Sequence, residues 1–382
     1  MSGPAGREAH VDDILALLPP LFAALDRLAF VARHFHPPHF AELMDAVGAP
    51  DGALSAERPR LDAWPAALTD VRDTLALACD EAMAGFAALR AAEDDPDGTT
   101  AGFRALRHLP RALEALYPLT PSLPPVSRFF LPAGRRDDQG LLQQLARASA
   151  DTGVLHAGGE PGARGAVSLY VPEDIDNGRP RPLIVALHGG SGHGRAFLWS
   201  WLADARGAGA ILASPSSIGR TWAIQGQDPD TPNLDRIVGF IRDRWPVDPA
   251  QILLTGMSDG GTFSYVSGLE PASPFTHMAP ESAAFHPMLS QFADPARLKG
   301  LPIHVTHGAL DWMFPVDMAR EAERALTAAG ARVTYREVAD LSHTYPREVN
   351  AEILAWMGAD DGFGAKLVAR KGRISKHQNL ES

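Results

Sequence analysis

Apolar residues in the first part of the chain recur at spacings of three and four. Ile14, Leu18, Leu21, Leu25, Leu28 and Ala32 share one helical face over residues 11–35. Pro19-Pro20 should end or kink that helix, because proline lacks the amide proton and its ring clashes with the preceding turn. A second helical pattern covers roughly 65–92 and closes in Glu93-Asp94-Asp95-Pro96-Asp97-Gly98; a third runs from about 100 to 117. Prolines at 118, 121, 124, 125 and 132 then make an irregular connection.

The pattern changes near residue 165. Residues 166–171 alternate as a half-buried strand does, and Asp176-Asn177-Gly178 supplies a turn. The runs 182–188, 209–213 and 251–255 are short and continuously apolar, as strands buried on both faces are; residues 301–306 and 332–338 complete the series. Helical patterns at 234–245 and 316–329 lie between them. Strands alternating with helices of 10–15 residues predict an α/β fold: a doubly wound, mostly parallel sheet, here preceded by an all-helical N-terminal region. The expected division is 1–150 helical, 151–361 α/β, and 362–382 a basic tail. That tail is marked by lysine, since three of the four lysines (Lys366, Lys371, Lys376) fall in it against 31 arginines elsewhere and within it.

Composition narrows the partners. The chain has 382 residues, 46 Asp+Glu against 35 Lys+Arg, and a net charge of −11, which argues against nucleic acid or an anionic membrane surface. No run of 18 apolar residues occurs, so no transmembrane helix is expected, and residues 1–10 do not read as an export signal; a cytoplasmic protein is the expectation. Cys79 is the single cysteine, set in a helical pattern that predicts a buried thiol. His34, His36 and His39 flank Pro37-Pro38 at a spacing that suits a loop better than a metal site.

The candidate chemistry lies beyond the carboxyl ends of the strands, where open α/β sheets bind ligands. After strand 251–255 comes Gly256-Met257-Ser258-Asp259-Gly260-Gly261, a G-x-S-x-G turn leading into a helix. Such a turn lifts a serine oxygen clear of the backbone, and needs small residues where chain segments approach closely. Strand 301–306 leads to Asp311, and the last strand to Leu341-Ser342-His343. Ser258, Asp311 and His343 therefore occur in the order nucleophile, acid, base, each past its own strand. Asp317 is an alternative acid or a helix cap. Strand 182–188 runs into His188-Gly189-Gly190-Ser191-Gly192, whose amides are free to face a developing oxyanion. The amide of Asp259, at a helix start, is the second donor.

With these residues in view, residues 165–358 resemble an α/β-hydrolase of the carboxylesterase/phospholipase group, especially bacterial esterases similar to poly(3-hydroxybutyrate) depolymerases. The matching pieces are Leu187-His188-Gly189-Gly190, Ser214-Pro215 with Thr221-Trp222, Gly256–Gly261, His307-Gly308-Ala309-Leu310-Asp311 and Ser342-His343. The resemblance implies serine ester hydrolysis through an acyl-enzyme. Ser258 attacks, His343 moves the proton, Asp311 orients the imidazole, and the amides of Gly190 and Asp259 bind the oxyanion. It implies no metal or organic cofactor, and a small-molecule ester as substrate.

Trp222 and Trp312 are the pocket candidates among the aromatic residues near these loops; Trp199, Trp201 and Phe314 are the others. Thioesterase, lipase and polyester depolymerase activities are variants of the same chemistry, and a non-catalytic binding protein retaining the fold is the rival class. The segment 279–300 is too short for a helical cap domain. The N-terminal helices are therefore expected to shape the pocket or to form a homo-oligomer interface.

Overall fold

The computed structural model describes residues 4–147 and 151–359. The expected basic tail lies outside the described residues. Two compact units divide the chain, Met1–Gln143 and Gln144–Ser382.

The first unit is helical. Pro19 and Pro20 sit inside the single helix Pro4–His34 rather than ending it. Its face Leu17, Leu18, Leu21, Leu25, Leu28 and Val31 is buried, against Asp51–Glu57, Thr69–Glu93 and His108–Leu116. Burial of six large apolar side chains, each contributing about 1.5–3 kcal/mol, outweighs the roughly 3 kcal/mol that each of the two interior prolines costs. The stretch His10–His34 is also long and apolar enough to cross a membrane, with a mean hydropathy of 1.8 and 39% of its apolar window buried inside the protein. The helix meets that criterion by length and average hydropathy only, since no unbroken run of 18 apolar residues occurs in it. Asp26 and Arg27 interrupt the apolar run without lowering its average below that of a spanning helix. Cys79 is buried in Thr69–Glu93, where desolvation pushes its thiol up to about 12. His39 pairs with Glu42 and stacks on His36, in the turn Pro37–His39.

The second unit is an eight-stranded sheet: β1 Gly153–Ala157, β2 Val167–Val171, β3 Arg181–Leu187, β4 Ile211–Pro215, β5 Val247–Met257, β6 His277–Glu281, β7 Pro302–Gly308 and β8 Arg332–Val338. The spatial order is β1-β2-β4-β3-β5-β6-β7-β8. β1 and β2 are antiparallel additions to one edge, and the six strands from β4 to β8 run parallel. This is the α/β-hydrolase fold that the sequence resemblance implies.

The apolar runs behave as their continuity predicts. Leu183, Val185 and Leu187 of β3 face one side with Ile252 and Leu254 of β5, and pack on Leu234, Ile237, Val238 and Ile241 of helix Asp230–Arg244. Met278, Ile303 and Val305 join Ala319, Ala322 and Leu326 of helix Asp317–Ala328 in a second cluster. The edge strand β8 alternates exposed and half-buried residues and carries Arg332, Arg336 and Glu337, charges that discourage pairing with another sheet.

Register brings the carboxyl ends of the central strands level. Leu187 pairs with Gly256, Met257 with Glu281, and Glu281 with Thr306. The chain leaves β3 toward β4 and returns to β5 on the other side. A topological switch point therefore falls between β3 and β5, where this architecture opens a crevice.

Candidate active site

The turn after β5 puts Ser258 at φ +56°, ψ −120°, a left-handed backbone that side chains other than glycine rarely adopt. Such a conformation costs on the order of 1–3 kcal/mol and persists only where neighbours over-determine it. Here Ser258 N–H donates to the Glu281 carbonyl at 2.9 Å, and Thr262 N–H donates to the Ser258 carbonyl at 2.8 Å. Two flanking glycines are required by contact. A Cβ at Gly256 would lie 2.7 Å from the Gly260 backbone, and one at Gly260 would lie 2.5 Å from the carbonyls of Leu187 and His188. Helix Asp259–Gly268 then directs its first amides to the space beside the serine.

Three side chains from three strand ends meet there. His343 Nε2 is 3.0 Å from Ser258 Oγ, and His343 Nδ1 is 2.8 Å from Asp311 Oδ2. All three are buried. The other Asp311 oxygen accepts the amides of Met313 (2.9 Å) and Phe314 (2.8 Å). Burial works to raise the Asp311 pKa, but the His343 hydrogen bond and charge, the Phe314 amide and His307 together hold it below the usual carboxylate value. An ionised Asp311 accepts a hydrogen bond from His343 Nδ1–H and so keeps the proton on Nδ1, which leaves Nε2 as the acceptor for the serine hydroxyl. Phe314 packs edge-on against the His343 ring at 5.2 Å.

The loop after β3 runs alongside the serine: a Cβ on Gly189 would lie 3.5 Å from Ser258 Cβ, and one on Gly190 2.8 Å from Asp259 Oδ2. His188 pins this loop. Its Nδ1 donates to the Gly189 carbonyl at 2.7 Å, and its Nε2 accepts Ser217 N–H at 3.1 Å. Burial drives its pKa down to about 4, so it is the neutral ring that this pattern of one donor and one acceptor requires. The Asp259 carboxylate accepts Thr221 Oγ1–H at 2.6 Å, which ties the helix start to the segment after β4.

The remaining candidates separate. Trp222, expected at the pocket wall, is only 2% exposed. Its indole N–H donates to the His188 carbonyl at 2.7 Å and its ring stacks on Phe263 at 5.4 Å, so it braces the glycine loop from the core side. Trp312 is 41% exposed, with its ring 6.3 Å from that of His343. Trp199 and Trp201 are buried. Asp317 is 83% exposed and pairs with Arg320 on the helix surface, far from the role of an orienting acid. His193 caps helix Gly194–Ala208 by accepting Ala196 N–H. His307 Nε2 donates to the Phe314 carbonyl at 2.8 Å and stands 3.4 Å from Asp311, behind the triad.

Sequence reasoning missed Glu281. It ends β6, a five-residue strand holding Pro280, whose pattern carries no strand signal. Thr221 was visible only as the neighbour of a tryptophan.

Residues 233–356, which contain Ser258, Asp311 and His343, match the family described as Phospholipase/Carboxylesterase. A bifunctional acetylxylan esterase/xylanase of Neocallimastix patriciarum is 25% identical over 225 residues, covering 56% of this chain and 31% of that protein. A probable feruloyl esterase C of Aspergillus terreus is 28% identical over 156 residues, covering 39% of this chain and 56% of that protein. The chain thus spans less than two thirds of the length of either relative. A thermostable esterase of known structure is 20% identical, with a TM-score of 0.44 over 53% of this chain and 62% of that one.

Proposed function

We propose that the protein is a serine carboxylester hydrolase. The observation that carries this reading is the continuous line Asp311–His343–Ser258, with spacings of 2.8 and 3.0 Å, at the switch point of the sheet. Ser258 Oγ attacks the ester carbonyl while His343 Nε2 takes its proton. Asp311, held by two amides, fixes the tautomer and stabilises the imidazolium that forms. The amides of Asp259 and Gly190 receive the oxyanion, a contribution of about 100- to 1000-fold per donor. His343 then protonates the departing alcohol, water attacks the acyl-Ser258 with His343 as base, and the acid is released.

Small acyl groups, and aromatic acyl groups carried on sugars, are the substrates we favour. The two relatives named for acetylxylan and feruloyl esters support this choice, as does the exposed indole of Trp312 beside the base, a flat apolar surface for an aromatic or sugar ring. The test is a panel of p-nitrophenyl esters from acetate to palmitate together with methyl ferulate and acetylated xylo-oligosaccharide, with Ser258→Ala as control. Turnover of the short or aromatic esters, abolished in the variant, is expected. Equal rates for wild type and variant, or no turnover of any ester, would overturn the reading.

A further inference from the structure

The carboxyl group of Glu281 lies fully buried behind the nucleophile turn, and no cation pairs with it among the described residues. Its Oε1 is 3.2 Å from Thr255 Oγ1 and 3.4 Å from Tyr345 OH. The protons around it can be counted. Thr255 has one hydroxyl proton and a shorter bond for it, to the Ala279 carbonyl at 2.8 Å. Tyr345 also has one, and a shorter bond to Asn350 Oδ1 at 2.8 Å. Asn350 cannot be turned round, because its Nδ2 donates to the Ser200 carbonyl (2.9 Å) and to Asp204 Oδ2 (3.0 Å). With each hydroxyl proton assigned to its shorter bond, both oxygens present lone pairs to Oε1. An ionised carboxylate there would meet lone pair with lone pair at both hydroxyls; a protonated one has a hydrogen to give to one of them.

We propose that Glu281 is a positioning residue that acts as a neutral carboxylic acid, donating its single Oε1 proton to Tyr345 OH to hold the loop that carries His343. Tyr345 is two residues beyond His343 and is clamped from below by Phe197, edge-on at 5.2 Å, and by Asn350. Glu281 also accepts Ser258 N–H on its own backbone carbonyl. One residue thus fixes nucleophile and base relative to each other, through its main chain on one side and its side chain on the other. The charged and titratable groups around this cluster are consistent with a neutral acid. Desolvation raises the Glu281 pKa well above the carboxylate range and Glu348 adds to the rise, outweighing what the Thr255 and Tyr345 hydroxyls would contribute as donors to a carboxylate. Asp204 and Arg347 act on the far side, at Tyr345.

The protonation state does not depend on the esterase reading; the effect on rate does. Two measurements on the full chain separate them. The first is infrared spectroscopy at pH 7, comparing wild type with Glu281→Gln for the carbonyl stretch of a protonated carboxylic acid. The second is the rate of Ser258 labelling by a fluorophosphonate, with kcat and KM on p-nitrophenyl acetate, for Glu281→Gln, Glu281→Ala and Tyr345→Phe. The infrared band should vanish in Glu281→Gln, whose amide still donates and which should keep rates within about 3-fold. Glu281→Ala and Tyr345→Phe should lose about 10- to 100-fold in labelling and kcat with KM little changed, the effect of a small misplacement of the base. If Glu281→Ala does not fold, Tyr345→Phe against Glu281→Gln carries the comparison. An infrared spectrum unchanged in Glu281→Gln overturns the neutral acid. Rates in Tyr345→Phe equal to wild type, or a Glu281→Gln as slow as Tyr345→Phe, overturn the positioning role. Wild type that is never labelled removes the esterase reading and the positioning role together, while the infrared result still decides the protonation.

Discussion

His343 Nδ1 stands 2.8 Å from Asp311 Oδ2, on a carboxylate whose second oxygen is already occupied by two backbone amides. Asp311 thus has no freedom to rotate away from the imidazole, and its geometry is set by β7 and the turn after it before any substrate arrives. Replacing it with Asn should leave the two amide bonds in place while presenting the wrong partner to Nδ1. Turnover should then fall by about 10,000-fold, with KM changed little and the fold intact by circular dichroism. A loss of only a few-fold would mean that the pair is structural.

Gly190 faces the Asp259 carboxylate, which Thr221 holds in place. An added methyl would lie 2.8 Å from Asp259 Oδ2, so Gly190→Ala should push the glycine loop off its position and lower kcat by about 100- to 1000-fold, the value of one oxyanion donor. The Asp259→Ala change keeps the amide and removes the obstacle. In that background Gly190→Ala should cost much less, and a double-mutant cycle on kcat measures the difference. Strict additivity would show that the two residues do not meet.

Trp222 and Trp312 should separate in kinetics. Trp222→Phe keeps the stacking on Phe263 but leaves the buried His188 carbonyl without its 2.7 Å partner, which should cost about 1–3 kcal/mol of stability, read from urea melts. Trp312→Ala should leave stability nearly unchanged and raise KM for aromatic esters more than for acetate. The reverse assignment of effects would restore Trp222 to the pocket wall.

His188 makes stability depend on acid. Its folded-state pKa is about 4 and its ordinary value 6.5, so between these pH values the unfolded chain binds a proton that the folded one does not. Stability should therefore fall as pH is lowered from 6.5 toward 4, by on the order of 3 kcal/mol from this residue. Denaturant melts of His188→Gln across the same window should show a shallower decline. Parallel curves would mean that His188 is not the neutral anchor of the glycine loop.

The parts legible in the sequence were those whose cause is local. β3, β4 and the second half of β5 are buried on both faces and so appear as short apolar runs; the nucleophile turn needs glycines at fixed offsets from Ser258; Asp311 and His343 each follow a strand end. What was not legible depends on distant packing. β6 is short, contains Pro280 and ends in a charged residue type, yet it is the strand whose carbonyl holds Ser258. Pro19-Pro20 reads as a helix end, and the buried leucine face of Pro4–His34 overrides it. A tryptophan near a catalytic motif looks the same whether its indole faces substrate, as an exposed Trp312 can, or turns inward to a carbonyl, as Trp222 does. The neutrality of Glu281 follows from hydroxyls on β5 and on the loop after His343, which no local pattern joins.

The central claim is that Ser258 is a nucleophile activated by His343. Intact mass and peptide mapping after treatment with a fluorophosphonate test it most directly, in wild type, Ser258→Ala and His343→Ala. One adduct on Ser258 in wild type, none in Ser258→Ala, and labelling slowed by orders of magnitude in His343→Ala is the result expected. An unmodified wild type, or an adduct on any residue other than Ser258, would contradict it.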